Sequence, residues 1–395
     1  MGATILFESE AKSDIHVLDA AWSSPDTFAF VPDKLTISTD WLNAALDSLP
    51  NHLARNHFAL LTSGSTGRPK LIVAERQRAE SMARLLDEVQ LGAAATQTIV
   101  TLPLTYCYAF VNQWLWARVN NRKLILTAGF SDPDALDREF ERAQDAMLCL
   151  VGAQVPLLIS LMEKARFPGI VRLHFAGGQF PQEHLDSIRD FFPNAMIFNN
   201  YGCAEAMPRL SVRLADATIP ASNIGRPLPG IEFSTDTDGS LLFRSPFCAS
   251  AFVEEDELTL TEQSAWIATG DFGRVTDDGS FELQGRRLEV FKRYGEKVSL
   301  PQILATVQLS WKGEAALFRE KDGGGEDGCV LVLAPHPEDA ESRLILRDFR
   351  KHHSRAQWPL RIEGSDHIPK LQNGKIDTSG LSVLENKTTY WRQRI

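Results

Sequence analysis

Cysteine is scarce and scattered: the 395-residue chain holds five, Cys107, Cys149, Cys203, Cys248 and Cys329. The count is odd and no two stand at a zinc-like spacing. Neither a disulfide framework nor a cysteine metal site is expected; the pattern suits buried or half-buried thiols in a reducing compartment. The nine histidines likewise contain no pair at metal-ligand spacing. Positive charge is in deficit. Lys and Arg number 41 against 51 Asp and Glu, and the net charge of −10 argues against a nucleic-acid or anionic-membrane partner. A small anionic ligand is not excluded, since it needs only a local cluster of donors. The start of the chain, "MGATILFESEAKSD", has no basic region and too short an apolar run for a signal peptide. Gly2 follows Met1, but Leu6 stands where myristoylation requires Ser or Thr. The most apolar stretch, "MLCLVGAQVPLLISLM", is broken by Gln154 and Pro156 and fits a strand followed by a helix better than a membrane span. The cytoplasm is the expected location.

What is present is an ordinary globular composition, 23% charged and 44% hydrophobic, with length for two or three domains. There is no internal repeat or low-complexity tract. Short apolar runs ("FALLTS", "TIVTLPL", "KLILTA", "AMLCLVG", "VRLHFAGG", "MIFNNYG") alternate with amphipathic helical stretches. After the first run, Met82, Leu85, Leu86 and Val89 share one helical face. In "SDPDALDREFERAQD", Asp132 is placed to cap a helix and Pro133 to occupy its first turn. This alternation predicts an α/β domain with a largely parallel sheet, and ligands at the C-terminal ends of its strands. From about Gly230 the texture changes to apolar–polar alternation around Asp-Gly turns, which predicts antiparallel hairpins. A smaller α/β unit follows, with a strand at "GCVLVLAP", a long helix near "AESRLILRDFRKHHS", a hairpin tip at 322–328 and a terminal loop "IPKLQNGKID". The basic stretch "RDFRKHHSR" reads most simply as a solvated helix face, and could otherwise touch an acidic carrier protein.

Chemistry concentrates in "FALLTSGSTGRPKLIV", Phe58 to Val73. A Walker loop is ruled out, because Lys70 follows Pro69 and precedes Leu71. Gly64 and Gly67 still let backbone N–H groups approach phosphate oxygens, Thr62, Ser63, Ser65 and Thr66 add hydroxyl donors, and Lys70 adds a positive charge. The segment from Thr62 to Lys70 resembles, at every position, the phosphate loop of the AMP-forming adenylating enzymes: acyl- and aryl-CoA synthetases, peptide-synthetase adenylation domains and luciferase. Further blocks resemble that family in the same order. In "NNYGCAEAMPR", the resemblance implies that Asn200, Tyr201 and Gly202 contact nucleotide, with Tyr201 on adenine, and that Glu205 binds Mg²⁺. Gly177 and Gly178 of "AGGQFP" match the adenine loop. Asp271 of "ATGDFGRV" would accept from the ribose hydroxyls, and Arg286 of "GRRLEVFKRYGEKV" would lie near ribose or phosphate. Lys292 and Gly295 would lie near a pantetheine channel, and Lys375 of "PKLQNGKID" would be the adenylation lysine.

The resemblance runs from Phe58 to Asp377 and implies a fold: a large N-terminal α/β domain with mixed sheets and an antiparallel β portion, residues 1–285, carrying a small mobile C-terminal α+β lid, residues 286–395. It implies ATP and Mg²⁺ as cofactors, an organic acid as substrate, and coenzyme A or the phosphopantetheine of a carrier protein as thiol acceptor. Four departures stand out. Ala204 replaces a hydroxyl residue. Leu288 occupies the hinge position, where the family has Asp or Lys. Only about 60 residues precede the phosphate loop, which leads to an expected homodimer or dedicated partner covering apolar surface. The family's aromatic-His block is replaced by "LPLTYCYAFVNQW", where Tyr106 or Tyr108 stands in and Gly178 and Gly202 complete the acid site. Trp114 and Trp116 are candidate walls of that site, with core packing expected for at least one. No acidic residue occurs between Leu102 and Asn121. An α-ammonium would lack a local partner there, so an aryl or medium-chain acyl acid is expected unless a carboxylate such as Asp145 or Glu183 arrives from elsewhere. The competing readings are a non-catalytic nucleotide- or adenylate-binding subunit, and a ligase whose acceptor is an amine or hydroxyl.

Overall fold

The computed structural model describes residues 4–35, 37–62, 70–90, 94–162, 166–254, 257–286, 289–370 and 376–393. Most of the phosphate loop (63–69), the hinge residue Leu288 and the terminal lysine Lys375 lie outside the described residues. The chain divides into two compact units. The larger comprises Met1–Asp236, Leu241–Thr269 and Val275–Glu282; the smaller comprises Thr237–Ser240, Gly270–Arg274 and Leu283–Ile395.

Two six-stranded sheets build the larger unit. One runs Ser211–Leu214, Met196–Tyr201, Ile170–Phe175, Ala146–Leu150, Gln97–Val100, Lys123–Leu126 across its width. All its pairings are parallel except the first. This is the sheet that strand–helix alternation predicts, and the helices between its strands form as expected. Pro133–Arg142 is the clearest case: the Asp132 side chain accepts from Ala135 N at 3.1 Å, Pro133 opens the helix, and Leu136 and Phe140, four residues apart, bury together. One sheet face packs into an apolar core of Leu148, Leu150, Leu173, Phe175 and Ile197 against Phe140, Leu158 and Ile188.

The other sheet corrects the sequence reading. The strand His57–Thr62, which leads into the phosphate loop, does not join the parallel sheet. It lies in a mixed sheet ordered Thr4–Phe7, Phe28–Val31, His57–Thr62, Lys70–Glu75, Ala251–Glu254, Glu257–Leu260. Its partner across the loop is antiparallel, with Thr62 opposite Lys70. The loop therefore joins the two arms of a hairpin, and its ends are fixed by ladder hydrogen bonds. A short apolar run carries no record of which sheet it will enter, since periodicity is the same in both.

Behind the hairpin sits an aromatic cluster. Trp22 lies 5.0 Å from Phe58 and 5.3 Å from Trp114, and Phe110 lies 4.7 Å from Trp114. Trp116 donates to Asp87 at 2.9 Å. Both tryptophans, and Phe110 with them, are committed to the core.

The smaller unit pairs Glu314–Lys321, Asp327–Ala334, Arg361–Gly364 and Thr388–Arg392 in one sheet. The helix Asp339–His352 contributes Ile345, Leu346 and Phe349 to a core shared with Leu331, Leu333 and Ile362. A hairpin, Val290–Arg293 with Glu296–Ser299, is anchored by a fully buried ion pair between Arg293 and Asp322 at 3.2 Å. No helix of the described residues is long and apolar enough to cross a membrane.

Candidate active site

In the larger unit, the C-terminal ends of two neighbouring parallel strands bring the predicted residues together. Ile170–Phe175 leads into Gly177 and Gly178, and Met196–Tyr201 leads into Gly202 and Glu205; Phe175 and Asn199 are register partners. Gly177 takes φ of +76°, and a Cβ at Gly178 would meet nothing within 4 Å, so this backbone faces open space. Gly202 has the opposite constraint. A Cβ there would lie 1.8 Å from the carbonyl oxygen of Pro208, so only glycine lets the segment 202–209 fold back on itself. Glu205 sits in the short turn Ala204–Ala206 of that segment.

Lys70 Nζ donates to Glu205 Oε1 at 3.3 Å, across 135 residues of chain, and reaches Glu254 Oε2 at 3.6 Å. Its ammonium also lies 5.4 Å from the centre of the Phe252 ring. At the other arm of the hairpin, the Thr62 hydroxyl donates to the Lys70 carbonyl at 3.3 Å. The last residue of the phosphate loop and the expected metal ligand thus form one ion pair, which an arriving anion and its cation can split between them.

The same parallel strands carry a buried polar face. Arg172 and His174, two residues apart on one strand, point to the same sheet face, and Cys149 and Phe198 are the register partners of His174. His174 stacks on Phe198 at 4.9 Å. Asn200 Oδ1 accepts from Gln90 at 3.2 Å, and its amide nitrogen lies 3.3 Å from His174 Nδ1. Tyr108 is half-buried, with its hydroxyl enclosed; the hydroxyl faces Cys149 and Asn200 without a well-formed bond to either. Arg209 stacks over the Tyr108 ring at 5.6 Å and donates to Asn112 Oδ1 at 2.7 Å. Asn112 belongs to a widened helical turn, Phe110–Leu115, of the kind that re-aims side chains at functional sites. Burial raises the Tyr108 phenol well above its ordinary range and takes the Cys149 thiol up to about 12. Burial, then the fields of Arg209 and Arg172, drive His174 well below 6.5, so the imidazole is neutral.

The remaining predicted residues fall elsewhere. Tyr106 is partly exposed at the start of the helical run. Asp271 and Arg286 meet within the smaller unit at 3.5 Å, and Lys292 is exposed on the hairpin 290–299. Carboxylates other than Asp145 and Glu183 reach the aromatic block from elsewhere: Asp87 at Trp116, and Glu8 at its start. Glu8 accepts from Leu104 N at 2.9 Å and from the Thr105 hydroxyl at 3.3 Å, and pairs with Lys12 at 3.0 Å. Sequence reasoning missed Arg172, His174 and Arg209 as well. For Arg172 and His174 the signal was a polar residue at alternate positions of "VRLHF", a strand otherwise apolar throughout; Arg209 carried no such signal.

Residues 3–241 match the AMP-binding enzyme family, and the chain belongs to that family. It is 25% identical over 82% of its length to the delta-poly-L-ornithine synthetase of Acinetobacter baumannii, of which it spans 26%. It is 23% identical over 84% of its length to the D-alanine–D-alanyl carrier protein ligase of Streptococcus pneumoniae, of which it spans 71%. In fold it is similar to o-succinylbenzoate CoA synthetase from Bacillus subtilis in complex with an acyl-adenylate (TM-score 0.76, 16% identity, 97% of this chain and 88% of that one). It is also similar in fold to an anthranilate CoA ligase in complex with anthranoyl-AMP (TM-score 0.70, 18% identity, 96% and 77%).

Proposed function

We propose that the chain activates an organic acid with ATP and passes the acyl group to a thiol. The Lys70–Glu205 pair carries the reading, because it joins the phosphate loop to the expected metal ligand in one place. The acid carboxylate attacks the α-phosphate, an acyl-adenylate forms and pyrophosphate leaves; a thiol of coenzyme A or of a carrier protein then displaces AMP. Relatives named for a carrier protein ligase and for CoA synthetases support either thiol. The protein's part is to position reactants and offset charge. Lys70 and the loop 62–70 hold phosphate oxygens, Tyr201 and the Gly177–Gly178 backbone receive the base, Asp271 accepts from the ribose, with Arg286 beside it, and Lys375 bridges carboxylate and α-phosphate.

The donor set at Lys70 fits Mg²⁺. Two carboxylates, Glu205 and Glu254, reach the same ammonium. No group of three or more His, Cys, Asp or Glu among the described residues forms a metal cage. Mg²⁺ takes one or two carboxylates and completes its shell with water and phosphate oxygens. Bound there it would offset phosphate charge, while Glu205 exchanges its contact with Lys70 for the cation. The acid is read as an aryl or acyl acid rather than an α-amino acid, because the carboxylates that reach the aromatic block are already engaged: Glu8 is bonded to Leu104, Thr105 and Lys12, and Asp87 is held by Trp116.

The test is acid-dependent pyrophosphate release over a panel of hydroxybenzoates, fatty acids and amino acids, with products identified by mass. Lys375→Ala should lower adenylate formation on the order of 10²–10³-fold and spare thioester formation from supplied acyl-adenylate. An equal fall in both half-reactions, in a folded variant, overturns the assignment of Lys375.

A further inference from the structure

The buried face behind Glu205 holds donors that have no acceptor. Arg209 is 1% exposed, and one of its two terminal nitrogens, Nη1, has no hydrogen-bond partner. Arg172, also 1% exposed, has none for either terminal nitrogen. Among the described residues no carboxylate forms an ion pair with either guanidinium. The carboxylate that Arg172 feels most is Asp87, which is held by Trp116 at 2.9 Å and lies 3.9 Å from Arg122.

His174 adds a third donor. The Gln90 amide donates to Asn200 Oδ1, which turns the Asn200 NH₂ toward His174 Nδ1. That nitrogen must accept, so the proton of the neutral imidazole sits on Nε2. Nε2 is buried and has no partner. Arg172 and His174 share one strand face, Cys149 is the register partner of His174, and Arg209 packs over Tyr108, whose hydroxyl faces Cys149; both guanidiniums also act on His174 and Cys149. These groups adjoin the reaction centre: Arg209 is four residues beyond Glu205, and the Cys107 thiol next to Tyr108 feels the Glu205 carboxylate.

Two buried cations without counter-charge, and a buried N–H without an acceptor, are costly in a folded protein. A ligand oxyanion removes that cost in one step, and a carboxylate takes a guanidinium in the paired geometry that both prefer. Resting on the adenylation reading above, we propose that the acid this chain activates carries a second carboxylate, bound by Arg209 and the His174 Nε2–H with Arg172 behind them. The substrate class is a dicarboxylic acid. One carboxylate reacts near Glu205 and the other is recognised by charge.

The experiment compares diacids with their monomethyl esters on the same skeletons, glutarate, adipate, isophthalate and terephthalate. Pyrophosphate release is one readout and the shift in melting temperature without nucleotide is the other. For at least one skeleton the diacid should exceed its monoester in kcat/KM on the order of 10²-fold or more, since the monoester leaves buried donors unmet. Arg209→Met should collapse that ratio toward one and abolish the diacid's thermal shift. Arg209→Lys keeps the charge and should retain part of both, which serves if the Met variant does not fold. A monoester used as well as its diacid overturns the proposal. So does the absence of a thermal shift with every diacid, or a shift unaltered in Arg209→Met. Should no acid release pyrophosphate while a diacid still shifts the melting temperature through Arg209, the adenylation reading fails and the anion site stands.

Discussion

The two faces of the parallel sheet differ more than any two elements of the fold. One buries Leu148, Leu150, Leu173, Phe175 and Ile197 in a continuous apolar core. The other, on the same strands, buries Cys149, Arg172, His174 and Asn200. The first gains free energy from removing apolar area from water. The second loses it, through cations that lack a counter-charge and an imidazole that resists protonation. Adjacent residues of one strand, Arg172 and Leu173, thus do opposite work: one face drives folding and the other gives up stability for a site.

The largest expected effect is on the apolar face. Phe140→Ala should lower unfolding free energy by about 3–5 kcal/mol, read as a fall in the denaturant midpoint, while pyrophosphate release per folded molecule stays at the wild-type level. Loss of both together would mean that the two faces are not separable. At the rim of the polar face, Glu205→Gln should do the reverse. Adenylation should fall on the order of 10²–10³-fold, about 3–4 kcal/mol in barrier, with a denaturant midpoint close to wild type.

A smaller effect comes from pH. His174 is held well below 6.5 in the folded protein, so the unfolded chain binds more protons once pH falls through 6.5. Stability should therefore decline below that pH, by up to about 1.4 kcal/mol per unit from this group. Burial lowers His57 also, and it acts in the same direction. His174→Gln should flatten the slope of stability between about pH 6.5 and 5; an unchanged slope would show an ordinary, accessible imidazole. Smallest is Arg172→Met. Removing a buried guanidinium with no hydrogen bond should raise stability by about 1 kcal/mol, and a melting temperature below wild type would mean that an unseen partner holds it.

The apolar face was legible in the sequence because its signal is repetitive. Runs such as "AMLCL" and the pair Leu136–Phe140 carry their period openly, and Asp132–Pro133 announces a helix start by local chemistry alone. The Lys70–Glu205 contact could not be read that way. Nothing local ties two residues 135 positions apart, and only the ordered family blocks placed them in one site. The polar face was the least legible. "VRLHF" reads as an apolar run, and the two polar residues inside it look like noise until the sheet shows that they share a side with Asn200. The choice of sheet for His57–Thr62 was hidden for a related reason: pairing partners are decided by tertiary packing, and the hairpin to Lys70–Glu75 is closed by a long loop rather than a two-residue turn that would have marked it.

Gly202 has a consequence for how such a protein can change over time. The close backbone approach at Pro208 sets the path between Glu205 and Arg209 independently of either side chain. A lineage can therefore exchange the residue at 209, and with it the second functional group of the acid, without disturbing the carboxylate opposite Lys70. Diet and chemistry are inherited on the same short segment yet are free to drift at different rates, as long as position 202 keeps no side chain.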